Sequence, residues 1–191
     1  MTTTQTPIDW TSVLLDQATW HWTNQLRPRL DGLTDEEYLW EPTPGAWNLH
    51  PRGQGGTETQ GGSGELTIDW AYPEPVPAPV TTIAWRLAHI VVGVLGARVH
   101  GHFGGPAVDY MSFPYAATAQ EALAQVDEAF AAWTTGVRGW DAVALAEPCG
   151  PSEGPWTEHP RVELVLHINR ELIHHGAEIA LLRDLYAHRN D

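Results

Sequence analysis

The sequence predicts an all-α protein, a four-helix bundle with a long Gly/Pro-rich insertion between its first and second helices. Three observations lead there. Four segments of roughly twenty residues repeat apolar residues at three- and four-residue spacing, the period of a helix with one buried face. The stretch between the first two is crowded with glycine and proline. One short stretch inside it alternates polar and apolar residues, which leaves room for a short β-hairpin in the insertion. Amphipathic helices of that length bury their faces most simply against one another.

The first helix is expected from Ile8 to Leu30, with Asp9 as N-cap and an apolar face of Trp10, Val13, Leu14, Ala18, Trp22 and Leu26. A helical turn follows at Thr34–Tyr38, where Thr34 and Glu37 have the form of a capping box. The insertion, Glu41 to Pro79, is long enough to suggest either a lid or a plain surface loop, and Glu65–Trp70 is its candidate strand. The second helix is expected from Thr81 to Phe103, stopped by Gly104-Gly105-Pro106. The third runs from Thr118 to Gly139, and a Pro/Gly loop from Glu147 to Pro160 leads into the fourth, Arg161 to His188. No linker divides the chain, so residues 1–191 read as one domain.

Composition narrows the function. Twenty-four acidic against ten basic residues give a formal charge of -14. So negative a surface repels phosphate backbones and anionic membranes, so no nucleic acid and no membrane is expected as a partner. No stretch approaches the roughly 20 apolar residues that span a bilayer. Met1 to Pro7 is polar and Thr-rich and does not resemble a signal peptide. The lone Cys149 fits a reducing, cytoplasmic setting and reads as structural or incidental. Ten histidines are the informative excess.

The fourth helix carries a constellation. Glu171 and His175 are four apart, so they project side by side, already oriented for a divalent ion. Ile168, His175 and Leu182, seven apart, form one stripe with apolar flanks, so His175 is expected to be partly buried and to need a partner. His89 on the second helix is the candidate for a third ligand. It shares a face with Trp85, Gly93 and Gly96, glycines that would admit another helix closely. His100 and His102 are weaker candidates near that helix's end. The plainer alternatives are an ordinary Glu/His pair and a hydrogen-bonded core histidine. His167 and His174 lie on a more polar stripe with Glu178, as outer support, acid/base groups or solvent-facing residues.

At these residues the chain resembles the DinB/YfiT-like superfamily of metal-dependent four-helix proteins. The resemblance rests on the helix order, on Leu33–Pro42 (LTDEEYLWEP), on Ile83–His89 (IAWRLAH) and on Ile173–Gly176 (IHHG). Many members carry a His on the second helix and a His-x-x-x-His pair on the last. Here Glu171 stands in place of that pair's first His, as in the mycothiol-dependent maleylpyruvate isomerase branch, where a His, a Glu and a His hold zinc. The resemblance implies a metal held by His89, Glu171 and His175: zinc, with nickel or manganese as alternatives. It also implies a low-molecular-weight thiol, such as mycothiol, bound at the open metal position.

The leading expectation is therefore a metal-dependent thiol S-transferase or isomerase whose partners are a small-molecule thiol and an electrophilic substrate. In it His174 or His167 moves protons, and Arg86 or Arg170 holds a carboxylate of cofactor or substrate. The alternatives are a metal-dependent hydrolase and a non-catalytic bundle that binds small molecules or dimerises. A homodimer fits exposed apolar helix faces.

Overall fold

The structure, a computed structural model, describes residues 8–189. The Thr-rich start read as lacking a signal peptide lies outside the described residues. Among those residues the molecule is mainly helical, with a small antiparallel sheet.

Three segments, Trp10–His21, Trp22–Leu26 and Arg27–Arg29, run end to end as helix α1. Asp9 caps it, its carboxylate accepting from the Ser12 amide. The middle segment is a π-helix: the Arg27 amide bonds back five residues to the Trp22 carbonyl. The widened turn lies just ahead of Pro28, whose ring would crowd a regular α-helix. The buried face is Leu14, Leu15, Ala18, Trp22 and Leu26. Trp10 and Val13, expected on that face, are instead about half exposed.

Helix α2 is Asp35–Tyr38. Thr34 caps it by accepting from the Glu37 amide, but Glu37 does not close the expected box. Its buried carboxylate accepts from Arg183 at 2.6 and 2.9 Å. The complete capping box is at Thr118 and Glu121, where helix α4, Ala119–Arg138, begins.

Helix α3 is Ile83–Phe103, capped by Thr82. It is α-helical to His89, π-helical over Ile90–Gly96, and α-helical again over Ala97–Phe103. The short α5 is Ala142–Ala146, a 3-10 turn follows over Pro151–Trp156, and α6 is Arg161–Ala187. Helices α1 and α3 each lie against both α4 and α6. By length and mean hydropathy α3 could cross a membrane, which corrects the reading that no stretch comes near. Here it is the central helix, with Ile83, Leu87, Ile90, Val92 and Leu95 at 0–1 % exposure.

The insertion holds more than a hairpin. Strands β1 (Leu49–Pro51), β2 (Thr59–Gly61) and β3 (Leu66–Trp70) form an antiparallel sheet in the order β1-β3-β2. Leu49 and Gly61 both oppose Ile68. The two outer strands are only three residues long, too short to leave a period in the sequence. The sheet is tied to α3. Buried Asp69 accepts from the Asn48 and Gly56 amides, His50 lies 2.8 Å from it, and the Trp85 indole donates to the Asp69 carbonyl at 2.9 Å. The sheet also carries the loop after α3. The Gly62 amide donates to Met111 and the Ser63 amide to Phe113. The Gly-rich segment is thus a folded scaffold rather than a lid or a plain loop.

Candidate metal centre

His89, on the last α-helical turn before the π-segment of α3, meets Glu171 and His175 of α6. One ligand atom from each lies within 4.8 Å of the others. His175 Nε2 is 3.2 Å from Glu171 Oε2, and the two imidazoles stand edge to face at 4.7 Å. Two ligands on a tetrahedral ion, each about 2.0–2.1 Å from it, would lie roughly 3.3 Å apart. The donor set, two imidazoles and a carboxylate, therefore fits a divalent transition ion.

His175 is 6 % exposed, and its Nε2 is buried with no hydrogen-bond partner among the described residues. Its Nδ1 is occupied, 2.7 Å from Glu178 Oε2. A carboxylate there fixes the proton on Nδ1 and leaves the Nε2 lone pair free, the usual support for a metal-ligating histidine. Arg86, expected as a cofactor anchor, holds this support instead. Its Nε lies 3.0 Å from Glu178 Oε2 and its Nη1 3.5 Å from His175 Nδ1.

His89 is held from both sides. Trp85 stacks on it at 5.4 Å, and Tyr110 Oη lies 2.6 Å from its Nδ1. Burial, then the nearby His175, Arg86 and Arg98, push the His89 pKa down to about 3, so the imidazole is neutral, and in the tautomer whose Nδ1–H donates to the Tyr110 oxygen its Nε2 is left to coordinate. Burial raises Tyr110 to about 12, which keeps its hydroxyl protonated. The glycines flanking His89 serve the loop rather than another helix. A Cβ at Gly93 would lie 2.0 Å from Tyr110 Oη, and one at Gly96 2.8 Å from Val108. Gly176 does admit a helix: a Cβ there would meet His21 and Leu26 of α1 at 3.0 Å.

The remaining candidates divide. His167 is half-exposed, 3.6 Å from Glu171. His174 is largely exposed, 3.3 Å from Glu178, and with His175 and Glu178 it forms a second cluster of potential ligands. That cluster would use the His175 nitrogen that Glu178 already occupies, and it lies more open to solvent. Arg170 is exposed and touches neither centre. His100 bonds the Gly105 carbonyl. His102 is buried against Trp140 and lies 3.0 Å from Glu153, whose other oxygen faces Arg98 at 3.3 Å. The hydrogen bond from His102 is the largest influence holding Glu153 below the usual carboxylate range.

Sequence reasoning missed Tyr110 and the role of Glu178. Glu178 had a signal, its place three residues beyond His175 on one helix. Tyr110 had none, because it sits in a loop whose path depends on the sheet.

A cavity of about 440 Å³ lies between α3, the Pro151–Trp156 turn and α6, linked to the centre through His167, which is 3.6 Å from Glu171. His167 and Arg170 line it, and so does Cys149. Cys149 thus shares a cavity with His167, but burial raises its thiol pKa and it is not among the converging ligands.

No curated protein matches the chain, and neither does any solved structure. A family model described as the DinB superfamily matches residues 57–179, a span that starts in the sheet and takes in His89, Glu171, His175 and Glu178. That match covers well over half of the sequence, and the chain belongs to the DinB superfamily, a metal-binding group.

Proposed function

We propose that His89, Glu171 and His175 hold one divalent ion, zinc before nickel or manganese, and that the protein is a thiol-dependent S-transferase or isomerase of the mycothiol-using type. The observation that carries the metal reading is the His175 Nε2 atom. A buried imidazole nitrogen without a partner costs about 1–3 kcal/mol, and an ion between it, Glu171 and His89 removes that cost. The packing of α1 and α3 against α4 and α6 supports the four-helix bundle that such a centre needs.

Three protein ligands leave coordination positions open, the pattern of a reactive rather than a structural site. When bound there, a divalent ion lowers the pKa of a thiol placed against it and makes the thiolate available at neutral pH. The chain's own groups do the rest. Glu178 accepts from His175 Nδ1 and so keeps the proton there, and Arg86 holds Glu178 in place. Trp85 and Tyr110 hold the His89 ring in place. His167, beside both Glu171 and the cavity, is the better placed of the two candidates to carry a proton to or from a substrate. His174 faces outward. Cys149, kept protonated by burial, is no substitute for an external thiol.

Elemental analysis of tag-free protein tests the metal reading. The expected result is near one zinc, nickel or manganese per chain, lost in Glu171→Ala and His175→Ala. Metal-free wild type after reconstitution would overturn it. A turnover that persists after all small thiols are removed would overturn the thiol reading and leave hydrolysis.

A further inference from the structure

We propose that the cavity beside the centre is a binding site for small organic carboxylates with a flat apolar body, and that Arg170 is its anion anchor. The argument begins with charge. All ten basic residues are arginines, in a chain of formal charge -14. Arg27, Arg29, Arg86, Arg98, Arg161 and Arg183 are paired with carboxylates, Arg52 holds two carbonyls, and Arg189 lies over Tyr186. Among the described residues only Arg138 and Arg170 have no such partner, and of these two only Arg170 lines this cavity. An unpaired guanidinium amid so much acid is a ready site for an external carboxylate, which it can hold through two parallel hydrogen bonds.

The two carboxylates in the lining face partners other than Arg170. Glu153 is engaged by Arg98 and His102, and Glu163 lies 2.7 Å from His159. The side chains of Trp156, Leu164 and Leu166 supply apolar surface, with Trp156 still 61 % exposed and its indole available to a flat ligand. About 440 Å³ is the size of a small-molecule pocket. His167 lines the cavity and faces Glu171, so the site abuts the metal ligands without sharing one. The binding site stands whether or not an ion is held. That this carboxylate is the electrophilic substrate rests on the proposed function.

Isothermal titration with 1-naphthoate and its uncharged counterpart 1-naphthamide tests the site, on chelator-treated and on zinc-supplemented protein. Wild type is expected to bind the acid at least about tenfold more tightly than the amide. Arg170→Gln is expected to bring the two probes level without weakening the amide, while Arg138→Gln keeps the preference. Trp156→Ala is expected to weaken both probes alike. No saturable binding of naphthoate at millimolar concentration, or an unchanged preference in Arg170→Gln, would overturn the proposal. Glu171→Ala separates the two readings. It should lose metal yet keep the preference for the acid, and a wild type that holds no metal but prefers the acid would sink only the metal centre.

Discussion

Two buried groups in this molecule share one plan: an arginine, a glutamate and a histidine joined through the carboxylate. Arg98, Glu153 and His102 make one, and Arg86, Glu178 and His175 the other. In the first, the buried atom left without a partner among the described residues is Arg98 Nε rather than any atom of His102 or Glu153, and the His102 ring packs on Trp140. It pins the Pro151–Trp156 turn to α3. In the second, the far nitrogen of the histidine is orphaned and faces a second carboxylate and a second imidazole. The same three residue types therefore close a structure in one place and leave a coordination demand in the other. What differs is which nitrogen is left over: the arginine's in the first group, and in the second the histidine's, beside two further ligand types.

The largest expected effect breaks this comparison at its histidines. His175→Ala should abolish stoichiometric zinc binding. His102→Ala should keep the metal and cost about 3 kcal/mol of stability, because it strips a partner from a buried carboxylate. Metal analysis beside chemical denaturation checks both, and equal metal loss in the two variants would make the distinction false. Next come the carboxylates. Glu178→Gln should weaken zinc affinity about 10- to 100-fold, since it removes the carboxylate charge that orients His175 and holds the proton on its Nδ1. Glu153→Gln should leave that affinity unchanged, measured by competition with a chromophoric chelator.

A smaller effect is expected from Tyr110→Phe. It removes the hydroxyl on His89 Nδ1 and should cost about 1 kcal/mol of stability, with a modest loss of zinc affinity. The smallest is a pH effect. Glu153 is held below its ordinary value of 4.5, so its stabilising contribution is complete above that pH and is lost as the pH falls through the lowered folded value. Denaturation midpoints followed from pH 6 downward should fall less steeply in Glu153→Gln than in wild type. Parallel curves would remove Glu153 from the acid response.

The converging residues were legible because helical spacing is rigid. Glu171 and His175 had to be neighbours, and the apolar stripe of Ile168 and Leu182 had to bury His175, which it does. His89 stood out as the polar residue on an otherwise apolar face of the second helix, and the resemblance strengthened its pairing, since no spacing within a helix says which other helix it meets. The supporting residues were harder. Arg86 read as a ligand anchor because the sequence does not show that Glu178 is its partner across two helices. The sheet was half visible: β3 alternates over five residues, but β1 and β2 are too short to carry a pattern. Neither π-segment could be seen, because apolar spacing tolerates one extra residue in a turn.

That extra residue in α3 has a consequence for how the chain can change. A π-turn is an α-helix carrying one residue of surplus, taken up between His89 and Ala97. Deleting one residue within Ile90–Gly96 would let the rod wind as regular α-helix. Because the surplus is absorbed locally, the halves on either side would keep their facing, whereas the same deletion in a regular α-helical stretch would turn them by about 100° relative to each other. With Ala97–Phe103 still packed on α4, His89 would stay on the face it shares with α6, and the change would fall on the π-segment between them. The surplus residue is thus slack in the residue count: α3 can lose one residue here and keep the histidine's angular address, while the same loss in its regular turns would erase it.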